Sequence, residues 1–127
     1  MAGIAANVSA RETARLIGSD KVEGTAVRRS NGDKVGTIER VMIDKRSGKV
    51  AYAVMSFGGF LGIGDKLFAV PLPALSYRPT EDTFVLHVDK ETLKRAPGFD
   101  KNHWPNMSDR AWGEEIYSHY GYSPYWE

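Results

Sequence analysis

His87, His103 and His119 are the only histidines of the 127-residue chain, and there is no cysteine beside them. His103 and His119 stand near Asp100 and Glu115, the donor types that zinc accepts. Their spacing has none of the HExxH character that puts two ligands on one helix face, so only the fold could bring the two together. His87 alternates with Phe84, Leu86 and Val88 and reads as solvated. A glycine-rich stretch, Gly58-Gly59-Phe60-Leu61-Gly62-Ile63-Gly64-Asp65-Lys66, invites comparison with a phosphate cradle. A P-loop requires GxxxxGK[ST] opening into a helix, and a dinucleotide loop requires GxGxxG between strand and helix. Here the spacing differs and a strand follows, so the loop reads as a tight backbone turn. Phe60 and Leu61 either tuck over the end of the strands or face a protein partner. No GxSxG occurs, and general acid–base work would fall to Asp44, Asp65 or Glu39, which turn and surface roles explain more simply. The expectation is a protein with no catalytic residue, no metal and no cofactor.

Two further groups of residues point to contact rather than chemistry. Between Arg28 and Lys49 seven basic residues stand against three acidic ones, and Arg28, Arg29, Arg40, Lys45 and Arg46 form the candidate basic patch. An acidic protein is one partner for it. An RNA backbone is another, but no aromatic residue interleaves the basic ones, so nucleic acid is the weaker reading. From Asp109 onward the balance reverses, with Arg110 against Asp109, Glu114, Glu115 and Glu127. Eight of the aromatic residues, all three tryptophans among them, fall in positions 99–127. Trp104, Trp112, Tyr117, Tyr120, Tyr122, Tyr125 and Trp126 each carry about 150–250 Å² if buried, too much to leave in water. They can pack on the chain's own strands, on a second copy or on another protein. With an acidic tail facing a basic hairpin, a closed homodimer is the expected solution.

The elements that must position these residues follow from pattern and punctuation. Length bounds the chain to one core, and 42% hydrophobic with 26% charged residues and a net charge of +1 describe a globular chain without an electrostatic pull toward nucleic acid. No apolar run is long enough to span a bilayer, and residues 1–18 lack the basic and apolar regions of a signal peptide. N-myristoylation needs a glycine after the initiator methionine, and Ala2 occupies that position. With no disulfide framework, the expected setting is the cytoplasm. Residues 1–21 read as a flexible lead-in. Strands are expected over 25–29, 34–44, 49–57, 66–70, 74–78 and 83–88. The first two are joined by Asn31-Gly32 as a two-residue hairpin turn, the next pair by the turn 44–48. Gly36 suits a bulge, and the third strand, apolar on both faces, suits cover on both sides. Asp89 caps a short helix over 90–95. A second helix over 109–120 places Trp112, Ile116 and Tyr120 on one face.

Four stretches together carry a resemblance: Gly32-Asp33-Lys34-Val35-Gly36, Gly48-Lys49-Val50-Ala51-Tyr52-Ala53-Val54, Phe57-Gly58-Gly59-Phe60-Leu61-Gly62 and Phe68-Ala69-Val70-Pro71. The chain resembles the PRC-barrel family over roughly residues 22–97. Members include the cytoplasmic barrel of the photosynthetic reaction-centre H subunit and the barrel of a ribosome maturation factor. Leu72 stands where the family usually has an aromatic residue after the first proline. The resemblance implies a mainly β fold, a small barrel of about six strands over 22–98, with short helices in the aromatic-rich extension 99–127. It also implies action by docking on proteins, with no catalytic residue to carry over and no match for proton-conducting carboxylates. The expected function is a non-enzymatic docking module that self-associates. The alternative is an RNA- or ribosome-associated factor using the basic hairpin over 28–49.

Overall fold

A computed structural model describes residues 12–57 and 66–127. Helix α1 (Ser19–Val22) leads into strands β1 (Ala26–Arg28), β2 (Lys34–Ile43), β3 (Val50–Ser56) and β4 (Lys66–Val70). A 3-10 turn, Leu72–Ala74, precedes β5 (Leu75–Arg78) and β6 (Thr83–Leu86). Helix α2 (Lys90–Lys94), strand β7 (Phe99–Asp100) and helix α3 (Arg110–Tyr120) complete the chain. The strands form one sheet in the order β5-β6-β1-β2-β3-β4-β7. All neighbours are antiparallel except β1 and β6, which run parallel. The fold is mainly β, as expected, with seven strands rather than six. Among the described residues the sheet is open, with β5 and β7 as its edges. The added strand, β7, is two residues long and pairs Phe99 with Leu67 on the outer side of β4.

The turn between β1 and β2 differs from expectation. Arg29 N–H bonds to the Asp33 carbonyl at 2.8 Å and Gly32 N–H to the Arg29 carbonyl at 2.9 Å, and among the described residues of this turn only Gly32, at φ 97°, has positive φ. A two-residue turn of the Asn-Gly kind needs positive φ at both central positions. This is instead a three-residue loop, a tight turn followed by a left-handed glycine. Asn31 Oδ1 accepts from Asp33 N–H at 3.0 Å, which stabilises the ordinary φ at Asn31.

Bulges bend β2, because an extra residue on one strand increases local twist. Val27 pairs with Gly36 and Arg28 with Lys34, so Val35 is the unpaired residue. Against β3, Ile38 pairs with Met55 and Arg40 with Val54, and Glu39 is bypassed. Gly36 itself has another purpose: a Cβ there would lie 1.8 Å from the Ser56 carbonyl oxygen. Only glycine lets the two backbones approach so closely. Five consecutive residues of β3, Ala51–Met55, are buried, as a strand with two apolar faces requires. The core packs Val27, Ile38, Phe57, Phe68, Phe84, Leu86 and Leu93 around it, with Phe57 and Phe68 stacked at 4.5 Å. At the start of the described residues, Glu12 ion-pairs with Lys21 and accepts from the Tyr77 hydroxyl at 3.2 Å, tying residues 12–21 to β5.

Candidate functional site

The tail reaches the sheet by local rules. Asp109 Oδ1 accepts from Ala111 N–H at 2.9 Å and opens α3. Gly121, at φ 82°, closes it: Gly121 N–H bonds to Ser118 O and Tyr122 N–H to Tyr117 O, the paired reverse bonds of a left-handed helix end. That ending turns the chain back, so that Tyr125 lies 6.1 Å and Trp126 6.2 Å from the Tyr117 ring. Tyr52, projecting from β3, receives Trp112 at 5.3 Å, Tyr117 at 5.5 Å and Tyr125 at 6.3 Å. Ala51 is the β3 residue bypassed where Met42 pairs with Tyr52 and Ile43 with Val50. The Tyr117 hydroxyl donates to the Ala51 carbonyl at 2.5 Å, supplying a partner at the bulge. Gly113 permits the close fit, since a Cβ there would stand 2.7 Å from Tyr52 Oη.

Between the β2–β3 turn and the entry to α3 the packing leaves a cleft of about 440 Å³. Met42, Ile43, Ala51 and Met107 give it apolar walls, and Lys45, Arg46 and Arg110 are its cations. Ile43 is 55% exposed, one of two large hydrophobic side chains among the described residues left so open. Lys45 and Arg46 are carried by the turn itself, and Arg110 by the first turn of α3. Asp44 Oδ1 accepts from Arg46 N–H at 2.8 Å, and the Asp44 amide and carbonyl bond to Lys49 and Gly48. The amide of Arg46, with those of its neighbours, keeps the Asp44 carboxyl below its usual range. Asp44 also meets the Tyr125 hydroxyl, whose ionisation burial and that carboxylate push up. Arg110 lies 4.8 Å over the Trp126 ring. The Tyr52 hydroxyl is pushed up to about 12 by burial and has no hydrogen-bond partner among the described residues.

Of the sequence candidates, Tyr117 and Tyr120 are buried, while Trp104, Trp112, Tyr122, Tyr125 and Trp126 are half-buried against the same chain. Burial of these rings therefore does not require a second copy. Trp104 lies apart from the Tyr52 cluster: it packs on Phe99 at 4.9 Å, donates Nε1–H to Lys101 O at 2.8 Å, and carries the Arg40 guanidinium 4.6 Å above its ring. The five basic candidates are not brought together. Arg28 and Arg29 stand at the turn entering β2, Lys45 and Arg46 at the turn leaving it, roughly 30 Å apart by strand rise. Phe60 and Leu61 lie outside the described residues. His119 Nε2 donates to the Thr92 carbonyl at 2.8 Å, His87 Nε2 meets Ser76 Oγ at 2.9 Å, and His103 lies 4.0 Å from Asp100. Among the described residues no three metal-binding side chains gather. Met42, Ile43 and Met107 were missed as site residues, because the apolar run at the end of β2 reads as core until the tail fails to cover all of it.

Among the described residues no helix is long and apolar enough to cross a membrane. Compared with protein families, residues 15–93 match the PRC-barrel domain. No curated protein matches the chain.

Proposed function

The chain belongs to the PRC-barrel family, and from that premise we propose that it is a non-enzymatic docking module for an acidic segment of another protein. The observation that carries this reading is the cleft beside Ile43, apolar in its walls and cationic through Lys45, Arg46 and Arg110. A partner inserts one apolar anchor against Met42, Ile43 and Met107, while its carboxylates meet the three cations. Apolar burial gives the affinity and charge gives orientation and encounter rate. The probe is a labelled set of short acidic peptides with and without a leucine or phenylalanine, titrated by fluorescence anisotropy. Peptides with the anchor are expected to bind, Ile43→Glu to abolish binding, and Arg46→Glu to weaken it about tenfold. Anisotropy that does not distinguish anchored from unanchored peptides, or that ignores both substitutions, overturns the proposal.

A second copy is the alternative source of the acidic segment, because Glu114, Glu115 and Glu127 are exposed on the tail. Such a pair would join through charge, so it would weaken with salt. RNA has less support: the hairpin's cations stand at opposite ends of β2, and Arg40 is engaged over Trp104. A steep loss of affinity for an RNA oligomer with salt, abolished by the hairpin substitutions, would favour that reading instead.

A further inference from the structure

At the opposite end of β2 from the docking cleft, three arginines from two separate hairpins line a second cleft, of about 510 Å³. Arg28 ends β1, Arg29 opens the β1–β2 turn, and Arg78 ends β5, fifty residues after Arg28 in the sequence. The parallel pairing of β1 with β6 is what joins them. Arg28 pairs with Val85, and on the other side of β6 Thr83 pairs with Arg78. Strand pleating puts Arg28, Val85, Thr83 and Arg78 on one face of the sheet. Val85 and Thr83 are buried, 2% and 3% exposed, so the cations stand around a closely packed floor. The Thr83 hydroxyl donates to the Ala26 carbonyl at 2.8 Å, which locks β6 to β1 at this point.

The lining of this cleft carries three arginines against one carboxylate. Glu81 is the acidic residue of the lining, and it meets Arg78 at 3.8 Å as an exposed pair. Asp33 receives the Asn31 side-chain amide at 3.2 Å. Asp89, near Arg29, caps α2 by accepting from Thr92 N–H at 2.7 Å. Arg28 donates one Nη1–H to the Gly32 carbonyl at 3.1 Å, which holds the guanidinium at the turn and is its one side-chain hydrogen bond among the described residues. Three planar forks around one cleft match the several oxygens of a phosphate better than a single carboxylate.

We propose that this cleft is a phosphate-anion site that takes a phosphomonoester, the arginines Arg28, Arg29 and Arg78 holding the phosphate and the walls its organic part. This site is independent of the docking cleft and does not rest on that reading. The test is a nuclear magnetic resonance titration of the full chain, following backbone amides and arginine side chains at constant ionic strength. The probes are inorganic phosphate, phenyl phosphate and a short oligouridylate. Saturable shifts confined to Arg28, Arg29, Asn31, Gly32 and Arg78 are expected, with phenyl phosphate binding more tightly than phosphate. Arg78→Gln and Arg28→Gln should each weaken phenyl phosphate about tenfold or more without changing the melting temperature, and Lys94→Gln on α2 should leave the affinity as it was. Shifts that spread to Lys45 and Arg46, or that never saturate, overturn the proposal. So does oligouridylate binding at this cleft that phenyl phosphate cannot displace, which would make it a nucleic-acid backbone contact.

Discussion

Three buried tyrosines make opposite predictions. The Tyr52 and Tyr120 hydroxyls are buried without a partner among the described residues, and a buried hydroxyl without one costs free energy. Tyr52→Phe and Tyr120→Phe should therefore be neutral or raise stability by up to about 1 kcal/mol. Tyr117→Phe removes the bond to the Ala51 carbonyl and should cost about 1–3 kcal/mol. Urea unfolding of the three variants separates the cases, and equal losses in all three would contradict the assignment. At Gly36, a substitution to alanine sets a methyl group 1.8 Å from the Ser56 oxygen and should cost roughly 3 kcal/mol or more, read as a lower urea midpoint. The sequence marks Gly36 as unusual within a strand, but the reason lies on the neighbouring strand. Single-chain patterning carries the period of a strand; the distance to what faces it is set by the bulges.

At the scale of elements, the four-residue α1 fell in the stretch read as a flexible lead-in, whereas β1 to β6, α2 and α3 were legible because alternation, capping aspartates and proline or glycine breaks act locally. Strand β7 was not, since two residues carry no period, and neither was the tail's destination, because complementarity between Tyr52 and α3 is not a local property. That contact predicts a titration. Burial raises the pKa of Tyr52 from 10.0 to about 12 and raises those of Tyr117 and Tyr120 further. A raised pKa in the folded state means that the unfolded chain gives up these protons first. The contribution is complete below pH 10.0 and declines as the pH climbs toward 12. Tryptophan emission should shift to the red over that interval, together with the rise of tyrosinate absorbance. Tyrosinate appearing at the ordinary pH, with emission unmoved, would mean that the tail does not seal Tyr52. Ending the chain at Lys101 removes α3 but keeps β7, and should lower stability by roughly 3 kcal/mol through exposure of Tyr52 and its neighbours.

For the whole molecule, two clefts with basic side chains stand at opposite ends of β2, and the two proposals assign them different ligands. Sedimentation tests whether one of them is another copy of the chain: a pair formed through Glu114, Glu115 and Glu127 dissociates with added salt, and Ile43→Glu prevents it. A pair that persists in high salt would instead report apolar contact outside the cleft. The parallel pairing of β1 with β6 has a consequence for how the chain is made. Thr83 reaches the Ala26 carbonyl across 57 positions, so during synthesis β1 has β2 for a neighbour long before its other side can close. Loop closure over such a span costs entropy before any contact repays it. A nascent chain halted before β6 can already pair β1 through β4, yet it would display the open side of β1 to the cell until β6 and β5 complete the sheet there.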